Sequence, residues 1–232
     1  MYKPEQEPVF FSQAERFERM LQGHRIKILS VIEHLIERGD RQVGKGKTAE
    51  VHYAGTNNGV CIKIINKKTI QEDAQFFHSI KQEAWLHDEA FKISDRVRVP
   101  KPYLSWILQD DNGDNVEIFV MEKLPAITLD SIINGDESVP ANFDIRNFFE
   151  LLREFIQKLH DAGIYHRDLH AGNVMVDIET GDPYVIDFGS SIKALGDEDP
   201  YAQYLPDGSI FKFRTDESSI LRLKKELTAS LT

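Results

Sequence analysis

The clearest periodic signal runs from Asp144 to Ala162, where Ile145, Phe148, Leu152, Phe155, Ile156 and Leu159 recur at intervals of three and four. That spacing gathers one apolar stripe along a helix, and Gly163 supplies the stop. A second helix is expected over residues 69–92, which lack proline and glycine and carry Ile70, Phe77, Ile80, Ala84 and Phe91 at helical spacing. A third helical region covers 12–38. There Ser12 and Glu15 fit a capping box, apolar stripes run from Phe17 to Ile36, and Gly23 breaks them. Residues 1–11 contain two prolines and no such pattern, so poor order is expected.

Period-two patterns fill the remainder. Val60-Cys61-Ile62-Lys63-Ile64-Ile65 reads as a strand after the hairpin signal Asn57-Asn58-Gly59. Lys63 is its only charge, on the face opposite Ile62 and Ile64. Strands are expected from Tyr103 to Leu108 and from Val116 to Met121, around the turn cluster 110–115. Asn173-Val174-Met175-Val176 and Tyr184-Val185-Ile186, with Glu179-Thr180-Gly181-Asp182 between them, read as a further hairpin.

Composition adds bounds. The chain has 232 residues, 41% hydrophobic and 28% charged, near globular averages, enough for one good core or two small ones. A net charge of −10 argues against a nucleic-acid surface. The single cysteine, Cys61, permits no internal disulfide and suits a reducing compartment. No apolar run approaches membrane-spanning length and the N-terminus does not begin a secretory signal, so the expectation is a cytoplasmic chain or one exported by an undisplayed route.

The chemistry-bearing stretch is His166-Arg167-Asp168-Leu169-His170-Ala171-Gly172-Asn173, followed by Asp187-Phe188-Gly189. An acid shortly before an amide, then a second acid after an apolar strand, is the order that phosphoryl transfer requires. The hairpin between them would present Asn173 and Asp187 side by side. Upstream, Gly44 and Gly46 precede an alternating strand that contains Val51. Gly46-Lys47-Thr48 also invites a Walker A reading, which fails because Arg41 stands where that motif needs glycine. There is no His/Cys cluster with zinc spacing.

These motifs, in this order over residues 41–223, resemble the protein kinases. The resemblance implies a bilobal α+β fold: an N-terminal helical extension over 1–40, a small lobe over 41–121, a minimal large lobe over 122–232, and an ATP cleft between lobes. It implies that Asp168 positions or deprotonates the acceptor hydroxyl, that Asn173 and Asp187 hold Mg²⁺, and that Lys63 neutralises the α/β-phosphates of ATP. Glu83 is the acid expected to orient Lys63, with Glu72 and Glu89 as rivals. Gly44, Gly46 and Val51 would cover the nucleotide. Met121, Glu122 and Leu124 resemble the hinge that receives adenine, where an ordinary core strand would look much the same. Asp216, in Thr215-Asp216-Glu217, resembles the helix aspartate that braces the catalytic loop.

Three departures qualify the likeness. His170 replaces the usual lysine, as in the phosphotransferases of aminoglycosides and choline, although Arg167 is the protein-kinase choice. Only 43 residues follow Gly189, without Ala-Pro-Glu, which resembles the compact RIO kinases, the small kinase of the KEOPS complex and enteric effector kinases. Ala49 stands at the third glycine position of the phosphate loop. Arg167 often receives an activation-loop phosphate in the family; here structural pairing or constitutive activity is expected instead. The implied function is ATP-dependent transfer to Ser or Thr hydroxyls of a protein substrate. Alternatives are a small-molecule phosphotransferase and a non-catalytic binding module. A protein partner on the N-terminal helices is the less bland role for that region, and delivery into a host cell follows if the chain is an effector.

Overall fold

The computed structural model describes residues 3–4, 7–11, 42–45, 50–53, 60–66, 79–109, 111–194, 196 and 198–231. The expected N-terminal helices, Gly46, the Asn57-Asn58-Gly59 turn, Glu72 and the first part of the 69–92 helix lie outside them. The chain divides into two units: residues 1–88 with 101–123, and residues 89–100 with 124–232.

The first unit is built on one antiparallel sheet. Its described strands are β1 (Lys3–Pro4), β2 (Val9–Phe10), β3 (Gln42–Lys45), β4 (Glu50–Tyr53), β5 (Val60–Asn66), β6 (Pro102–Gln109) and β7 (Asn115–Glu122). The order is β1-β6-β7-β5-β4-β3, with β2 also on β6. Alternation in β5 sends Val60, Ile62 and Ile64 into a cluster with Leu104, Trp106, Leu108, Ile118 and Val120. Ile65, on the other face, packs with Phe119 and with Ile80 and Ala84 of helix α1 (Ile80–Ile93). The Glu117 carboxylate accepts the Ile80 N–H at 2.7 Å and so fixes the start of that helix on the sheet. Within the segment 1–11, where poor order was expected, two short stretches pair with β6. Lys3 and Pro4 pair with Gln109 and Leu108, and Val9 and Phe10 with Ser105 and Leu104. Pro4 is tolerated because β1 is an edge strand, where one N–H is dispensable.

The second unit rests on helix α3 (Ile145–Asp161), with α2 (Leu129–Ile133) and α4 (Asp216–Ser230) around it. The Asp144 side chain caps α3 by accepting from the N–H groups of Arg146 and Asn147. Phe148, Phe149, Leu152, Phe155, Ile156 and Leu159 are all buried on its inner stripe. Each contributes about 1.5–3 kcal/mol relative to exposure. Ala162 closes the helix, and Gly163 follows at φ 75°, a turn that glycine adopts without strain. β10 (Val174–Asp177) pairs with β11 (Pro183–Val185) and with β8 (Ala126–Thr128). Arg98 joins this unit because its N–H donates to Pro183 and its carbonyl accepts from Val185. Among the described residues no helix is long and apolar enough to cross a membrane.

Candidate active site

After Gly163 the chain forms β9 (Ile164–Tyr165), paired with β12 (Ile192–Lys193), and enters the loop at His166. Asp216, the first residue of α4 and fully buried, braces that loop. Its carboxylate accepts the backbone N–H groups of His166 at 3.0 Å and Arg167 at 2.9 Å, and the His160 Nε2–H at 3.0 Å. Burial pushes the Asp216 carboxyl up, but the His160 hydrogen bond, the nearby His166 and the two N–H donors outweigh it and hold the pKa below its ordinary 3.8. The brace is needed because Arg167 sits at φ 69°, a left-handed conformation that costs about 1–3 kcal/mol for a side-chain-bearing residue.

Asp216→Ala leaves two loop N–H groups without their acceptor and should lower stability by about 2–5 kcal/mol in urea unfolding. Since the folded-state pKa lies below the unfolded one, this stabilisation is present above pH 3.8 and is lost as pH falls through the depressed value. Wild type should therefore lose stability relative to Asp216→Ala only in strong acid.

The loop then presents its chemistry. Asn173 Nδ2 donates to the Asp168 carbonyl at 2.9 Å and lies 3.5 Å from Asp168 Oδ2, so the amide is fixed against the acid. The hairpin does what its pattern implies: Val174 faces Val185, and the Ile186 N–H donates to the Asn173 carbonyl at 3.0 Å, which sets Asp187 beside Asn173 along the strand ends. Asp187 lies at φ 64°, and its Oδ1 accepts the Gly189 N–H at 3.2 Å. Phe188 is fully buried with its ring 5.0 Å from that of His166, which anchors the strained turn. The Asn173 amide oxygen and the carboxylates of Asp168 and Asp187 are hard oxygen donors of the kind Mg²⁺ takes. His170 Nδ1 accepts the Gly172 N–H at 3.0 Å, and its Nε2 is 3.8 Å from Asp168 Oδ2. A Cβ at Gly172 would meet the His170 ring at 2.9 Å, so a side chain there would displace that ring.

The remaining expected residues, Leu124 excepted, fall in the first unit. Lys63 Nζ and Glu83 Oε1 are 2.7 Å apart, and both side chains are almost completely buried. Glu83, not Glu89, is the partner: Glu89 pairs with Lys92 and Lys193. Gly44, Val51 and Lys63 are cross-strand neighbours in β3, β4 and β5. Met121 and Glu122 close β7. The Glu122 N–H donates to the Lys101 carbonyl at 2.9 Å, so that amide is already committed within the sheet; Leu124 begins the second unit's run.

The sequence reading did not identify what holds Arg167. Its Nε donates to the Pro200 carbonyl at 2.8 Å and an Nη to the Ala202 carbonyl at 2.9 Å, and its guanidinium lies 4.2 Å from the Phe213 ring centre. These groups flank a hairpin of β13 (Ala202–Tyr204) and β14 (Ile210–Lys212). The turn residues Pro206-Asp207-Gly208 were the available signal for that hairpin. The Tyr201 hydroxyl accepts the Asp216 N–H at 3.2 Å and ties the segment to the brace.

The protein kinase domain matches residues 38–205, more than half of the chain. The chain is 29% identical over 169 residues to the hormonally up-regulated neu tumor-associated kinase of Homo sapiens, covering 71% of this chain and 22% of that protein. It is 29% identical over 167 residues to mitogen-activated protein kinase kinase kinase 6 of Homo sapiens, covering 69% of this chain and 12% of that protein. The chain thus spans less than a quarter of the length of either relative. A domain match of this extent, on a loop and lysine–glutamate pair so arranged, means that the chain belongs to the protein kinase family.

Proposed function

We propose that this chain is a Mg²⁺- and ATP-dependent kinase that transfers the γ-phosphate to Ser or Thr hydroxyls of a protein. The observation that carries the reading is the buried Lys63–Glu83 pair. An ion pair this deep is a poor source of stability, since desolvation offsets most of its attraction. Positioning an ammonium group for phosphates gives it a purpose. In this reading Lys63 neutralises the α/β-phosphates, while Gly44, Gly46 and Val51 cover the nucleotide and Met121, Glu122 and Leu124 receive its base. Asp168 accepts the acceptor's proton, and Asn173 and Asp187 hold Mg²⁺, which when bound offsets phosphate charge. Most of the rate comes from positioning and electrostatics.

Constitutive activity belongs to the same reading. Arg167 already has two carbonyl acceptors and an aromatic face. No added phosphate is required to satisfy it. His170, which prompted the small-molecule alternative, has a local role in accepting the Gly172 N–H, and either acceptor class accommodates that role. The cofactor assignment is tested by thermal unfolding with ATP. Saturating Mg²⁺-ATP, about 100-fold above Kd, should raise Tm by roughly 5–10 °C. ATP with chelator should do much less, and Asp187→Ala should erase the Mg²⁺-dependent part. Equal shifts with and without the metal would contradict the assignment.

A further inference from the structure

We infer that the acceptor carries an anionic residue, a carboxylate or a phosphate, within a few residues of the accepting hydroxyl, held by Arg214 and Arg222 in a pocket beside Asp168. The inference rests on the protein-kinase reading above and specifies its acceptor. The pocket, about 120 Å³, lies wholly within the second unit and is lined by Asp168, His170, Arg214, Ser219 and Arg222, together with Arg167. Three arginines against one aspartate make a cationic patch in a chain of net charge −10.

The three arginines are not equivalent. Arg167 is engaged by the Pro200 and Ala202 carbonyls. Arg222 uses its Nε on Glu226 at 2.6 Å, which leaves its two terminal nitrogens as donors. The Arg214 side chain is exposed and makes no hydrogen bond or ion pair among the described residues. Forked guanidinium donors match carboxylate and phosphate oxygens two at a time. The volume is below the roughly 300 Å³ at which small-molecule pockets begin. It suits one anionic head group.

Position follows from Asp168. The neutral hydroxyl goes to that carboxylate and the anion to the arginines of the same pocket. An extended chain advances about 3.3 Å per residue, so the two groups are separated by roughly one to three residues. Ser219, nearly buried in α4, adds a hydroxyl to the same wall.

The test uses the full chain, Mg²⁺-ATP and two sets of serine peptides identical except for Glu, phosphoserine, Gln or Lys at the three positions preceding or the three positions following the serine. Wild type should show kcat/KM on the order of 10- to 100-fold higher for the Glu or phosphoserine peptides than for the Gln peptide. Preference for both anions places the specificity in charge alone; preference for phosphoserine only identifies an acceptor primed by prior phosphorylation. Arg214→Gln should shrink the anionic-to-neutral ratio, chiefly by lowering kcat/KM for the Glu and phosphoserine peptides. Glu226→Gln, which breaks the pair but keeps Arg222, should retain the preference. The double variant Arg214→Glu with Arg222→Glu should favour the Lys peptide. Equal kcat/KM for Glu, Gln and Lys peptides, or variants that slow every peptide alike, would overturn the inference while leaving protein phosphorylation intact. Failure of wild type to label any peptide or casein would overturn the kinase reading and this inference with it.

Discussion

Asp168→Ala should lower phosphoryl transfer by roughly 10²–10⁴-fold while ATP still binds. Asp168 has its carboxylate 3.5 Å from Asn173 Nδ2 and 3.8 Å from His170 Nε2. Its backbone carbonyl accepts from Asn173 at 2.9 Å, a bond that an alanine preserves, and the loop stays braced by Asp216. The loss should therefore fall on kcat, with the ATP-induced Tm shift nearly unchanged. A variant that unfolded, or one whose ATP binding failed, would place Asp168 in a structural role instead. Steady-state kinetics beside a melting curve decides between these.

Lys63→Ala should act on both activity and stability. Removing Lys63 leaves Glu83 buried without the ammonium at 2.7 Å, and breaking such a pair costs about 3–5 kcal/mol. Transfer should fall by orders of magnitude whatever the acceptor, because the nucleotide loses its phosphate contact. The two effects separate in a double variant. Lys63→Met with Glu83→Leu removes both charges at similar volume and should recover most of the stability without recovering transfer. Recovery of activity with stability would mean that the pair serves only the fold. The Lys63 and Asp168 activity losses should be far from additive, since both residues serve one transition state.

Sequence alone exposed the parts of this molecule whose signals are local. Helix α3 was legible to within a residue because its stripe, its Asp144 cap and its Gly163 stop all lie in one stretch. The hairpin after Asn173 was legible for the same reason. Lys63 was placed on the face opposite Ile62 and Ile64 by period-two counting, and Glu83 was preferred to Glu89 on the resemblance; the structure sets Glu83 2.7 Å from Lys63 and Glu89 against Lys193. The strands at Lys3–Pro4 and Val9–Phe10 were not legible because two-residue strands carry no periodicity and gain their partners from distant β6. The partners of Arg167 were invisible because backbone carbonyls have no identity in a sequence. Arg214 and Arg222 were equally silent, since a loop residue and a helix residue form no motif until α4 brings them to one pocket.

The most direct test of the central claim is phosphoamino-acid analysis after incubation of wild type and Asp168→Ala with labelled ATP, with and without Mg²⁺, on casein. The account predicts label on serine or threonine with wild type and Mg²⁺ only. Label that persists at wild-type level in Asp168→Ala, or no label on protein with wild type and Mg²⁺, would contradict it.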